Sequence, residues 1–270
     1  MRLEPYLAWK TNSKRSNYED RFFMPYGELP ERLEQARTED EERAIQAKID
    51  AIAARGLVFA VMDGVGGAPL GMSAAQKTAD LLRQLYVRPE LAPQDGFPIA
   101  RDVLGLLYEA NTAVNAWGPI EDADGVPMGA GASGRPKGAA CVTALYLSPA
   151  GNVTLFQAGD TAAFVYRRRT GAIELYTGDS DVAGRSVRKY IGLGEALQID
   201  SFALAGLEPD DLIALVTDGV YPKGFTSRDA IGKVVVEADG DAESVATWLV
   251  ERARARGSVD DITALVLAVE

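Results

Sequence analysis

Five times in this chain a short, largely apolar run meets acidic residues at one end. Val58–Met62 stops on Asp63, Leu212–Thr217 stops on Asp218, and Val153–Gln157 reaches Asp160 through Ala158-Gly159. Glu19-Asp20 precede Arg21-Phe22-Phe23, and Asp260-Asp261 precede Ile262–Val269. Leu57–Met62 has no polar position, so a strand built from it must be covered on both faces. A fold made of such strands needs layers on either side of its sheets, and it gathers carboxylates wherever the strand ends lie together.

The remaining segments fill in those layers. A first strand is expected near Asp20–Met24. The charged stretch from Pro30 to Arg55 carries Ile45, Ile49 and Ile52 at helical spacing, with Gly56 as a stop. Ser73-Ala74-Ala75-Gln76 has the form of a capping box and predicts a helix through about Tyr86. A second helix is expected from Ile99 to Trp117, with Val103, Leu106, Leu107, Ala110 and Val114 on one face. Residues 118–138 read as a flexible loop by composition. Cys141–Leu147, Val153–Gln157, Ala162–Arg167 and Ala172–Tyr176 read as a meander of short strands, separated by turn signals such as Ser148-Pro149-Ala150-Gly151-Asn152. Leu212–Thr217 is a further buried strand, Asp241–Arg256 an amphipathic helix ended by Gly257, and Ile262–Val269 a last strand. With no fixed-period repeat and no obvious linker, residues 1–270 are expected to form one α+β domain with sheets inside and helices outside.

Composition decides what the acidic ends can do. The chain has no histidine and one cysteine, Cys141. That removes Ser-His-Asp and Cys-His catalysis, histidine-ligated zinc or iron, and thiolate cages. Metal chemistry here must use oxygen ligands, which suit magnesium, manganese or calcium. One cysteine also forms no intrachain disulfide. The net charge of −11 disfavours nucleic acid and anionic membranes as partners, and otherwise keeps the protein soluble. No apolar run approaches the ~18–20 residues of a membrane span, and the first residues lack the pattern of a signal peptide, so a cytoplasmic location is expected.

Any one of the five acidic junctions is simply a strand-end turn, where Asp and Gly bond locally. Together they describe a cleft in which unpaired carboxylates would repel, a repulsion that divalent cations resolve. The blocks Arg15-Ser-Asn-Tyr-Glu-Asp20, Asp63-Gly-Val-Gly-Gly67, Ala158-Gly-Asp-Thr161, Thr217-Asp-Gly219 and Ser258-Val-Asp-Asp-Ile-Thr263 occur in this order. They resemble the ordered motifs of the metal-dependent type 2C (PPM) serine/threonine protein phosphatases, over a span from about residue 10 to the end of the chain. The resemblance implies a four-layer αββα sandwich of two mainly antiparallel sheets. It also implies hydrolysis of phosphomonoesters on proteins by a water bridging two Mn²⁺ or Mg²⁺ ions. Asp63 would bridge the ions, with the Gly64 carbonyl on one of them and Asp218 and Asp260 on the other. Glu19 and Asp20 would hold metal-bound waters, Asp160 matches the position that serves a third, weaker metal in some members, and Arg15 would clamp the phosphate. The implied partner is a phosphoprotein, within a kinase pathway, and the expected state is a monomer.

Four departures from the family pattern stand out. Valine occupies position 65, where many eukaryotic members have a proton-donating histidine. Gly138-Ala139-Ala140 replaces a Gly-Thr-Thr type of strand start. Asp261 replaces an asparagine beside the last ligand, which would either tighten metal binding or alter only the surroundings of the ligands. The interval around Thr177–Gly184 is short for the family's flap. The segments at 30–55 and 118–138 are either ordinary solvated surface or elaborations that hold a partner or cover the site. Two other functional classes remain open at this stage. One is a phosphatase-like sensor that binds without turnover. The other is a calcium-stabilised interaction domain, disfavoured by the lack of an EF-hand loop.

Overall fold

The computed structural model describes residues 1–12, 18–88, 91, 100–128, 134–177 and 187–270. Two five-stranded sheets lie face to face, and every strand pair in them is antiparallel. One sheet has the order β1 (Leu3–Lys10), β10 (Ile262–Val269), β9 (Leu212–Val216), β6 (Ala162–Arg167), β7 (Ala172–Thr177). The other runs β2 (Arg21–Phe23), β3 (Leu57–Gly64), β4 (Ala140–Leu147), β5 (Val153–Ala158), β8 (Asp200–Leu204).

Alternation along each strand divides its side chains between two apolar layers. In β3, Val58, Ala60 and Met62 pack outward against α3 (Gly71–Val87) and α4 (Ala100–Asn115), beside Leu82, Leu85, Leu106 and Leu107. Leu57, Phe59 and Val61 point between the sheets, where they meet Leu145, Leu155, Ile213, Leu215 and Leu265. The second sheet buries Phe164, Val216, Ala264 and Val266 under α5 (Arg228–Glu237) and α6 (Ala242–Ala255). This is the expected four-layer αββα arrangement. A run such as Leu57–Met62 is continuously apolar because each of its faces is interior.

Three local expectations need correction. The strands do not form one meander. After β5 the chain crosses to the other sheet, where β6 pairs with β9 and β7. Since β6 is buried on both faces, its local pattern is the same in either sheet. The helix expected to open at a Ser73 cap begins at Gly71 instead, and Leu70 at its cap provides no side-chain bond. Its start is set by backbone packing: a Cβ on Gly64 would lie 2.6 Å from the Gly71 carbonyl carbon, so the start of α3 lies against the end of β3 across the Val65–Leu70 turn. The loop at 118–138, in its described parts, is tied across itself. Ile120 N–H donates to the Arg135 carbonyl and Met128 N–H to that of Ile120, both at 2.7 Å.

The charged stretch splits into α1 (Leu29–Glu34) and α2 (Glu39–Ala53), capped by Thr38, whose hydroxyl accepts from Glu41 N–H. Ile45 is buried and Ile52 packs on the inter-sheet core, so the elaboration is anchored along one edge. The shortened flap falls largely on residues 178–186, outside the described residues. No helix among the described residues is long and apolar enough to cross a membrane.

Candidate metal centre

The ends of β3, β5 and β9 come together at one end of the sandwich. Asp63 lies opposite Cys141 in the β3–β4 register, Asp160 follows β5, and Asp218 follows β9 by two residues. Carboxylate oxygens of Asp63, Asp160 and Asp218 all lie within 4.8 Å of one another. Residues more than 150 positions apart in sequence thus share one pocket, with Asp63 on one sheet, Asp218 just past a strand of the other and Asp160 on the crossing between them.

The supporting contacts are specific. Asp20 is buried, and its Oδ2 accepts from the hydroxyls of Thr217 at 2.8 Å and Thr263 at 2.6 Å. Thr217 also accepts from Thr263 N–H at 3.0 Å, so one threonine pair ties β9, β10 and Asp20 together. Tyr18 completes the cluster through its hydroxyl on Thr263. Gly219 lies against β10 so closely that a Cβ there would land on the Asp261 carbonyl oxygen.

Asp260 sits in the turn before β10. Arg254 holds that turn by donating to the carbonyls of Asp260 at 2.8 Å, Ser258 at 2.6 Å and Thr11 at 2.6 Å. Between Asp260 and Asp218 lies the ammonium of Lys223, 2.6 Å from Asp260 Oδ2 and in contact with Asp218 Oδ2.

Electrostatics reflects this crowding. Burial raises the Asp63 carboxyl well above the usual range, and Asp218, Asp20 and Asp160 push it further. Asp20 is raised by burial against the opposing bonds of Thr263 and Thr217. Asp218 is pushed up to about 6 by burial, with Lys223 pulling the other way. For Lys223, burial lowers the pKa, but Asp218 and Asp260 outweigh it, and the net shift is upward. A carboxyl whose pKa is higher folded than unfolded contributes stability that is present at acid pH and lost as pH rises through the folded value. In EDTA, the melting temperature of the wild type should therefore fall between pH 4 and pH 6 relative to that of Asp218→Asn. Parallel melting curves for the two proteins would contradict the assignment.

The pocket suits hard cations. Asp218 Oδ1 and Asp20 Oδ1 are buried with no hydrogen-bond partner, which is costly unless a cation or ordered water meets them. The donor set is all oxygen, as Mg²⁺ and Mn²⁺ prefer.

Of the residues expected at the site, Asp63, Asp160 and Asp218 meet directly, and Asp260 joins through Lys223. Gly64 ends β3 beside them, and Asp20 stands behind them on its threonines. Glu19 is half-buried next to Asp20. Arg15 lies outside the described residues.

Thr217, Thr263, Tyr18 and Lys223 were not anticipated. A threonine within two residues of an aspartate at the edge of an otherwise apolar run is the available signal for the first two.

The unusual Asp261 has a definite role. One oxygen accepts from Asn12 N–H at 2.5 Å and the other from Glu19 N–H at 2.7 Å, so a single buried carboxylate pins both ends of the segment that contains Arg15. An asparagine could offer only one acceptor there. Asp261→Ala should cost about 1–3 kcal/mol in urea unfolding, with Asp261→Asn intermediate. Equal stability of the three proteins would exclude the clamp.

Residues 54–270 match the family model described as stage II sporulation protein E (SpoIIE). Comparison with curated proteins gives no match. Among solved structures, the fold is similar to that of a serine/threonine phosphatase from S. agalactiae, with a TM-score of 0.68, 18% identity and 100% of both chains covered. It is also similar to the Mycobacterium tuberculosis serine/threonine phosphatase PstP/Ppp, with a TM-score of 0.67, 17% identity and 99% of both chains covered. The catalytic domain of PstP in complex with two manganese ions aligns with a TM-score of 0.65 at 17% identity, over 98% of this chain and 97% of that one.

Proposed function

Because the chain belongs to the SpoIIE family, we propose that it is a metal-dependent phosphatase acting on phosphoserine or phosphothreonine in proteins, with Asp63, Asp160, Asp218 and Asp260 as its metal-holding carboxylates. The observation that carries this reading is the convergence of Asp63, Asp160 and Asp218 on one pocket, where Asp218 keeps a buried oxygen with no hydrogen-bond partner. Since the site draws on both sheets, residues 1–270 act as one catalytic unit in this reading.

Two Mn²⁺ or Mg²⁺ ions bound there would neutralise phosphoryl charge and supply a water acidic enough to attack at neutral pH. The chain's own residues set the frame for that chemistry. Asp63 and the Gly64 carbonyl, at the close junction with α3, would hold the ions together with Asp218 and Asp260. Asp20, locked by Thr217 and Thr263, orients the water shell together with Glu19. Arg15 takes the phosphate with its guanidinium fork. With no histidine and a buried Cys141, neither a phosphohistidine nor a phosphocysteine intermediate is open to it.

Valine at position 65 has no proton to donate to a departing alkoxide. Activity should therefore favour aryl over alkyl phosphates, by more than about tenfold in kcat/KM if leaving-group protonation limits the rate. Equal efficiency on the two classes would argue against that role for position 65.

The direct test is hydrolysis of p-nitrophenyl phosphate with added Mn²⁺, repeated in EDTA and with Asp218→Ala. Turnover that needs metal and is lost in the variant supports the reading. Metal binding without turnover would instead indicate a phosphatase-like binding module.

A further inference from the structure

Lys223 is unexplained by the chemistry above. Its ammonium bridges Asp218 and Asp260, the two carboxylates assigned to the same ion, and so stands where a cation between them would stand. We propose that Lys223 is a tethered counter-cation of the metal centre that must leave before an ion shared by Asp218 and Asp260 can bind, and that it thereby sets the affinity of that ion. This inference rests on the proposed metal-holding role of the two aspartates.

Three observations support it. The backbone of Lys223 is fixed on the site, since its N–H donates to the Asp218 carbonyl at 3.1 Å, so the side chain is always within reach. The side chain is nevertheless 45% exposed, against 9% for that of Asp218, which gives it a path to solvent without unfolding the turn. The position agrees: the ammonium contacts Oδ2 of both Asp218 and Asp260, the atoms that an ion shared by them would need. A retained lysine beside two ions would add repulsion in a pocket of low dielectric. The lysine and the ion therefore exclude each other, and the metal-free centre keeps part of its charge balanced by a group the chain itself carries.

The test uses the full chain and Mn²⁺ alone. Isothermal titration of the wild type should resolve a tight and a weaker site. In Lys223→Gln the weaker site should tighten by about tenfold or more, the size expected when a competing charge at a half-exposed position is removed. Lys223→Arg, which keeps the positive charge, should remain near the wild type.

A second readout needs no variant. Acetylation of Lys223 by an amine-reactive ester, followed by mass spectrometry, should accelerate on saturation with Mn²⁺ because the ammonium is released. Unchanged or weakened Mn²⁺ affinity in Lys223→Gln, or Lys223 labelling that slows or stays constant with Mn²⁺, would overturn the proposal while leaving the metal centre intact. Failure of the wild type to bind Mn²⁺ at all would overturn the metal centre itself, and this proposal with it.

Discussion

Asp63→Asn should lose nearly all phosphatase turnover while making the metal-free protein harder to melt. The carboxylate is shared in the proposed centre. Its loss should therefore exceed the roughly ten- to hundredfold penalty typical of removing a group that only supports a ligand. In the metal-free fold the same carboxyl is strained by burial and by the charges of Asp218, Asp20 and Asp160. A neutral amide of equal size relieves that repulsion. The expected gain is a few degrees in EDTA, at about 2 °C per kcal/mol for a chain of this length. The opposition of the two effects is the diagnostic feature, since a merely structural aspartate would lose stability and activity together. Residual activity near wild type, or a lower melting temperature in EDTA, would remove Asp63 from the centre.

Gly219→Ala should be the most damaging glycine-to-alanine change among the described residues. The added carbon falls on the carbonyl oxygen of Asp261, which belongs to the backbone and cannot rotate aside. Either the turn after β9 or the start of β10 must shift, and each carries a proposed ligand, Asp218 or Asp260. Overpacking of this kind typically costs about 1–3 kcal/mol and occasionally more. Here the displacement also separates the carboxylates, so Mn²⁺ binding by calorimetry should weaken even where the variant still folds. A folded variant with unaltered Mn²⁺ affinity would show that the close approach of these two turns is not needed.

The parts of the fold that could be read from sequence are those whose environment is uniform. β3, β9 and β10 are interior on both faces, so their apolar runs are unbroken and their acidic ends stand out. β1 was missed for the opposite reason. It is an edge strand paired only with β10, it includes Glu4, Pro5 and Lys10, and most of its residues are half-exposed. Edge strands tolerate proline and charge, which erases the alternating pattern. β8 is likewise an edge strand. The start of α3 was misplaced because it depends on two glycine backbones meeting across a turn, and no local cap signal reports such a contact. At the site, the aspartates were legible through their positions at strand ends. Lys223 was not, because Tyr221-Pro222-Lys223-Gly224 resembles any exposed turn, and only the folding of that turn over Asp218 gives the ammonium its place.

The division of the carboxylates between the two sheets has a further consequence. Asp63 lies on one sheet, Asp218 and Asp260 border strands of the other, Asp160 sits on the crossing between them, and the layer between the sheets at their opposite end is hydrocarbon. Like charges facing each other across the seam act as a wedge, and an ion held by both sides would act as a rivet. Resistance to unfolding should therefore follow the free manganese or magnesium concentration, by about 2.7 kcal/mol when the ion stands at a hundred times its dissociation constant. A cell that depletes these ions would silence the enzyme and loosen its architecture in the same step.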